Sequence, residues 1–368
     1  MAVDEAYMRR ALELAERGRA LVSPNPMVGA VVVRDGEVLG EGWHRGPGTP
    51  HAEVVALEAA GERARGATLY VTLEPCAHFG RTPPCAPRVV EAGIQRLVVA
   101  TGDPNPQVDG RGLEISREGG VSTEVGLLAS EAARQNEAFI KHIRTGTPWV
   151  TLKMAASLDG KVAARDGSSR WITGEAARED VHRMRAGADA ILVGAGTAFR
   201  DDPELTVRLD RYEGRQPVRV VIDGRGIMPP THKLFTDGAA PTLVATTEGA
   251  PREVRDAWRD AGAEVLVLDD AGSALIPLDS LLSELGKRDV QHVLCEGGPT
   301  LAWQLVSGGL VDRAVLFLAP VLIGGADAPS LLMGAGSGSI GDALRFEIEE
   351  ITRVGDDLKV VGRVHRDS

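Results

Sequence analysis

The chain has 368 residues, room for two domains of ordinary size, and its 43% apolar content supplies two buried cores. A formal net charge of -11 disfavours a nucleic-acid backbone as partner, and an aromatic content of 4% leaves few platforms for stacking single-stranded bases. No stretch approaches the ~18 continuous apolar residues of a membrane span, so the expected partner is a small molecule.

Residues 1–18 place apolar side chains at helical spacing with acids near the start, which predicts an amphipathic helix. The segment lacks the basic head and apolar run of a signal peptide. The three cysteines are therefore expected as reduced thiols of a cytoplasmic protein, free to bind metal. Val28–Val33 and a segment from Glu37, joined at Arg34-Asp35-Gly36, predict a β-hairpin. A helix from His51 to about Arg63, a strand over Thr68–Leu73, a helix over Cys85–Ala92 and a strand over Arg96–Ala100 follow. That order predicts an α/β sandwich with helices on both faces of one sheet.

Breaker residues at Thr145-Gly146-Thr147-Pro148 predict a boundary that divides the chain into domains 1–146 and 147–368. The second half again reads as α/β. Strands are predicted at Trp149–Ala155, Ala190–Val193, Val218–Ile222, Thr242–Thr246, Glu264–Leu268 and His292–Leu294, with helices at Glu175–Arg185 and Leu278–Leu285. Leu344–His365 reads as two antiparallel strands joined at Gly355-Asp356-Asp357.

Chemistry concentrates first at His51, Cys76 and Cys85. Imidazole nitrogen and thiolate sulfur suit tetrahedral zinc, and three protein ligands leave the fourth position for water. Glu53, two residues after the ligating His, is placed to act as general acid/base on that water. The pattern H-x-E followed by P-C and a second Cys is that of zinc deaminases of nucleobases. Eight residues, Ala77–Pro84, separate the cysteines where two are usual, and Gly80, Pro83 and Pro84 suit a loop that folds back. A structural zinc site closed by His78 is the alternative. Cys295, in an apolar strand, reads as a small buried hydrophobe.

In the second half, Val193-Gly194-Ala195-Gly196-Thr197 follows a buried strand but departs from G-x-G-x-x-G at Phe199. In Glu296-Gly297-Gly298-Pro299-Thr300-Leu301 two glycines allow close backbone approach, and Pro299 and Thr300 open a helix suited to a pyrophosphate.

Several long motifs together resemble the bifunctional deaminase/reductases of riboflavin biosynthesis. They are Ser23–Gly29, His51-Ala52-Glu53, Pro75–Cys85, Thr101–Pro106, Lys153–Gly160, Trp171-Ile172-Thr173 and Asp201–Arg208. The resemblance implies a cytidine-deaminase-like α/β/α sandwich followed by a dihydrofolate-reductase-like α/β domain. It implies hydrolytic removal of the 2-amino group of 2,5-diamino-6-(5-phosphoribosylamino)pyrimidin-4-one, then NADPH-dependent reduction of the ribosyl group to ribityl. Zinc and NADPH are the implied cofactors, and a homo-oligomer, dimer or tetramer, is the expected assembly.

By the same resemblance Asn25, His44, Asp103 and Asn105 line the deaminase pocket. NADPH contacts fall to Ala155, Trp171, Thr197, Asp201, Gly298, Pro299, Thr300, Leu301, Ala302, Trp303 and Gln304. Substrate contacts of the reductase fall to Ser169, Arg185, Leu205, Arg208 and Glu296, with Arg185 and Arg208 expected to clamp the ribose phosphate through forked hydrogen bonds. Lys153, Asp201 and Glu296 are the candidates for polarising the reacting carbon and supplying a proton. The competing readings are a zinc deaminase of another aminopyrimidine or nucleoside with a non-reductase second domain, and a structural zinc protein.

Overall fold

Met8, Ala11, Leu14 and Ala15 recur on one face of the first helix, α1 (Ala2–Glu16), and all four are buried. This 3.6-residue periodicity lays the helix against a sheet. The sheet begins with β1 (Gly29–Arg34) and β2 (Glu37–Trp43), joined at Asp35-Gly36, both at positive φ. An Asp-Gly pair tolerates that conformation, which matches the twist of a two-residue hairpin. The computed structural model describes residues 2–80, 82–105, 110–269 and 275–365; the motif residues Arg81 and Pro106 lie outside them. It divides into two compact units, 1–146 and 147–368.

The first unit continues with α2 (Ala52–Ala60), β3 (Thr68–Leu73), α3 (Cys85–Glu91), β4 (Arg96–Thr101), α4 (Arg111–Glu118), β5 (Ser122–Val125), α5 (Ala129–Gln135) and α6 (Glu137–Thr145). Strand order is β2-β1-β3-β4-β5. β1 pairs antiparallel with β2 and β3, whereas β3, β4 and β5 run parallel. Successive residues of β1 feed opposite cores: Ala30 and Val32 pack with α2, α3 and α4, while Val31 and Val33 pack with α1 and α5. Hence a strand buried on both faces reads as a continuous apolar run. The helix expected to reach Arg63 ends at Ala60, because Gly61 takes a positive φ, and a single 3-10 turn carries on to Ala64.

The second unit comprises β6 (Trp149–Ser157), α7 (Glu175–Ala186), β7 (Ala190–Gly194), α8 (Ala195–Asp201), β8 (Val218–Ile222), α9 (Lys233–Thr236), β9 (Thr242–Thr246), α10 (Arg252–Asp260) and β10 (Glu264–Val267). It closes with α11 (Leu278–Gly286), β11 (His292–Cys295), α12 (Pro299–Ser307), β12 (Arg313–Ala319), β13 (Arg345–Val354) and β14 (Asp357–His365). Its strands run β10-β9-β8-β7-β11-β6-β12-β14-β13, parallel from β10 to β12 and antiparallel at the last two pairings.

β12 was not anticipated from the sequence, although its alternately buried residues place it between β6 and β14. One face of this sheet packs on α11 and α12, the other on α10 and its buried Trp258. Cys295 is fully buried in β11, as expected of a small hydrophobe, and burial pushes its thiol up to about 12. No helix among the described residues is long and apolar enough to cross a membrane.

Candidate active sites

Three chain segments converge at the end of β3. The strand delivers Glu74-Pro75-Cys76, α2 opens with His51 at its N-cap, and α3 opens with Cys85. His51 makes no capping hydrogen bond, so its ring is free to turn inward. His51 Nδ1, Cys76 Sγ and Cys85 Sγ all lie within 4.8 Å of one another. Nδ1 stands 3.5 Å from Cys76 Sγ and 3.2 Å from Cys85 Sγ. Nitrogen and sulfur ligands on one tetrahedral zinc ion would be about 3.6 Å apart, so the set fits that metal. Thr82, unmarked by the sequence reading, places Oγ1 3.2 Å from His51 Nε2. It accepts the Nε2 proton and leaves Nδ1 as the ligating atom.

His78 does not belong to this group, and its buried Nδ1 has no hydrogen-bond partner among the described residues. The arrangement is therefore the three-ligand kind, and the closed four-ligand alternative is not the one built. Glu53 is buried beside the donors. Burial and the neighbouring Cys76 push its carboxyl up to about 7, where a group both takes and gives protons near neutrality. Cys85 and His51, hydrogen bonded to Cys76, hold that thiol down to about 4, and Cys76 with burial pushes Cys85 up.

A cavity of about 300 Å³ opens over this cluster, lined by Asn25, His44, His51, Glu53, Asp103 and Asn105 among others. His44 Nδ1 lies 3.3 Å from the Pro50 carbonyl, so Nε2 accepts from Asn25 Nδ2 at 2.9 Å. Burial lowers the pKa of His44, in keeping with a neutral ring. The Asn105 N–H donates to Asp103 Oδ1 at 2.9 Å, and burial pushes the Asp103 carboxyl up to about 6. The structure thus brings together every deaminase residue nominated from sequence. Glu74 and Phe139, also on the cavity wall, were not nominated.

In the second unit Glu296 sits at the C-terminal end of β11, the kind of place where α/β sheets bind ligands. Glu296 follows β11 and meets Arg185 of α7 in a bidentate pair, Nε to Oε1 at 2.6 Å and Nη2 to Oε2 at 3.0 Å. Both side chains are about nine-tenths buried. The forked clamp expected of Arg185 is therefore already engaged, since a buried guanidinium must be paired. Its third arm, Nη1, donates to the Thr206 carbonyl at 2.9 Å. Burial works against the charge of Glu296, yet Arg185 outweighs it and holds the carboxyl below its ordinary range. Burial lowers the pKa of Lys153, on β6, against the pull of Glu296. His182, one turn before Arg185 and absent from the sequence reading, accepts the Arg208 N–H at 3.2 Å.

The other nominated positions are more dispersed. Arg208 is half exposed and bonded to Glu204 at 2.8 Å. Leu205 has its side chain in the hydrophobic core. Leu301 and Ala302 are also core, so the recognition surface of the 298–304 segment comes down to Gly298, Pro299, the exposed Thr300, and the half-buried Trp303 and Gln304. Thr197 of α8 faces Gly298 so closely that a Cβ there would lie 3.0 Å from its Oγ1. This close approach to a glycine, beside the N-terminus of α12, fits a nucleotide cofactor. Ala155 and Ser169 are half-buried, and the Asp201 carbonyl accepts from Arg170 at 2.6 Å. Trp171 is 70% exposed with the Arg178 guanidinium 4.6 Å over its ring, so it is not part of the core.

A three-ligand His/Cys/Cys centre on an α/β/α sandwich, joined to a parallel-sheet unit with a glycine cradle, defines a two-domain enzyme of the zinc-deaminase and nucleotide-dependent reductase classes. The cytidine and deoxycytidylate deaminase zinc-binding region matches residues 1–101, and the RibD C-terminal domain matches residues 148–360. The riboflavin biosynthesis protein RibD of Escherichia coli is 44% identical, the alignment covering 96% of this chain and 98% of that protein. The one from Bacillus amyloliquefaciens is also 44% identical, with 97% and 95% covered. Acinetobacter baumannii RibD superposes at a TM-score of 0.90 with 39% identity over 99% of both chains. A deaminase/reductase of Thermotoga maritima superposes at 0.86 with 36% identity over 99% of both. The chain belongs to the RibD family of riboflavin biosynthesis proteins.

Proposed function

We infer that this chain is a bifunctional enzyme that carries out two consecutive steps of riboflavin biosynthesis. Residues 1–146 form the zinc-dependent deaminase and residues 147–368 the NADPH-dependent reductase. The observation that carries this reading is the convergence of His51, Cys76 and Cys85 beside buried Glu53.

The first substrate is 2,5-diamino-6-(5-phosphoribosylamino)pyrimidin-4-one. Zinc held by His51, Cys76 and Cys85 supplies Lewis-acid activation of water. Glu53 would take one proton as the water oxygen bonds to C2 and deliver it to the ring nitrogen, then take the remaining hydroxyl proton and deliver it to the departing amine. The C–N bond breaks and ammonia leaves. Asn25, His44, Asp103 and Asn105 hold the pyrimidine and ribose phosphate.

The second step reduces the ribosyl carbon in its open-chain imine form. Ala155, Trp171, Thr197, Asp201 and the 298–304 segment would hold NADPH, which when bound would supply the hydride. Glu296, kept ionised by Arg185, stabilises positive charge on the imine, and the proton for its nitrogen falls to Lys153. Arg208, half exposed, suits the ribose phosphate, with Ser169 and the Leu205 main chain flanking it. Acidic charge and three cysteines support a cytoplasmic enzyme without a nucleic-acid partner. Exposed Ile348 and Ile351 on the sheet-edge strand β13 support a homo-oligomer, dimer or tetramer.

The test supplies the diaminopyrimidine phosphate with NADPH and follows ammonia together with the absorbance of reduced nicotinamide. Stoichiometric release of both signals is expected. Ammonia without NADPH oxidation would remove the reductase, and neither signal would remove the whole reading.

A further inference from the structure

Glu74 precedes the Pro75-Cys76 ligand motif, yet its side chain turns away from the metal donors. It is 3% exposed, and its carboxylate collects four backbone N–H donors, three from the start of α4 and one from Asp103 on the cavity wall. Oε1 accepts from Gly112 at 2.9 Å and Leu113 at 3.3 Å. Oε2 accepts from Gly110 at 3.1 Å and Asp103 at 3.4 Å. One buried anion therefore caps the first turn of α4 from outside the helix and also holds the main chain at Asp103. The contact is close by design of the backbone: a Cβ at Gly112 would fall 1.9 Å from the Pro75 carbonyl, so α4 reaches this strand end because residue 112 has no side chain.

We propose that Glu74 is a positioning residue of the deaminase, fixing the Asp103–Asn105 wall of the substrate cavity at a set distance from the Cys76 side. The proposal rests on the deaminase reading above. It assigns Glu74 to substrate placement and leaves metal retention to His51, Cys76 and Cys85. Glutamine in its place keeps one acceptor and turns the other into an amide NH2 that faces two N–H donors. Alanine removes all four acceptor contacts and leaves a buried helix end without a partner.

The experiment uses the full chain with Glu74→Gln, Glu74→Ala and Gly112→Ala. It measures zinc per chain, KM and kcat for ammonia release, and amide hydrogen exchange. The expected result is one zinc per chain, kcat within ~3-fold, and KM raised ~10-fold in Glu74→Gln and further in Glu74→Ala, the loss of roughly one to two charge-assisted hydrogen bonds. Gly112→Ala should reproduce the rise in KM with the carboxylate intact. The amides of Asp103, Asn105, Gly110, Gly112 and Leu113 should lose protection while those of β3 and α2 keep theirs. Unchanged KM, or lost zinc with unchanged exchange at those five amides, overturns the proposal. If the wild-type chain releases no ammonia, the deaminase reading fails, and the exchange pattern still decides whether Glu74 holds this wall.

Discussion

At the end of β3, Cys76, Cys85 and His51 crowd three metal-ligating donors around one point. At the end of β11, Glu296 meets Arg185 in a bidentate pair that is already neutral. Both sites occupy strand ends where helices begin, so the topology offers similar scaffolding. The difference lies in how charge is compensated. The first site is expected to keep its fold when its chemistry is removed, provided the metal stays; in the second, the groups that shape the site are expected also to stabilise the unit.

The largest effect tests that claim on the first site. Glu53→Gln should lower kcat for ammonia release by ~10²–10⁴-fold, the usual worth of a general acid/base. Zinc content and thermal midpoint should stay unchanged. Zinc loss would show that Glu53 serves the metal instead.

Arg185→Met should act differently. Leaving Glu296 buried and unpaired costs ~3–5 kcal/mol, read as a lowered urea midpoint for the second unit alone. The pair also sets an acid dependence. Glu296 has a native pKa below its ordinary 4.5, so its contribution is present above that value and is lost as pH falls through the native one. Removing Arg185 should flatten this acid limb in equilibrium unfolding between neutral and acid pH. An unaltered midpoint would mean the pair contributes no net stability.

A smaller effect sharpens the cofactor side. The Cβ of Gly298→Ala would meet Thr197 Oγ1 at 3.0 Å. Turning Thr197 off its rotamer costs ~0.5–1.5 kcal/mol, so KM for NADPH should rise roughly 2- to 12-fold. Adding Thr197→Ala removes the clash, and titration of NADPH against the double variant should show affinity partly restored.

Much of this was readable in the sequence because the informative residues declare themselves by type and local spacing. His51 and Glu53 share one helix start, and Cys76 and Cys85 bracket one loop, so the metal site needed only short-range reasoning. The hairpin at Asp35-Gly36 and the buried strands were legible for the same reason. Arg185 and Glu296 stand 111 positions apart, and no periodicity links them. Arginine on a helix read as a phosphate ligand, because its buried partner is set by tertiary packing. Glu74 was overlooked between two stronger signals, the strand before it and Pro-Cys after it. Thr82 was one polar residue in a loop of breakers. β12 was missed even though Ala314, Val315 and Phe317 form an apolar run, and only its pairing with β6 and β14 reveals it as an internal strand.

The sheet of the second unit also sets the order in which the molecule is completed. Trp149 and Val150, at the start of β6, pair with His292 and Val293, and the other edge of β6 pairs with residues from Arg313 onward. Both strands that pair with β6 are therefore synthesised much later. On a ribosome the first unit has all its strands before β6 emerges, whereas β6 stays an open edge until the chain is nearly finished. Such late, non-local closure is slow and exposes an apolar strand in the meantime. The nascent deaminase is complete while the reductase is still waiting for its own far end.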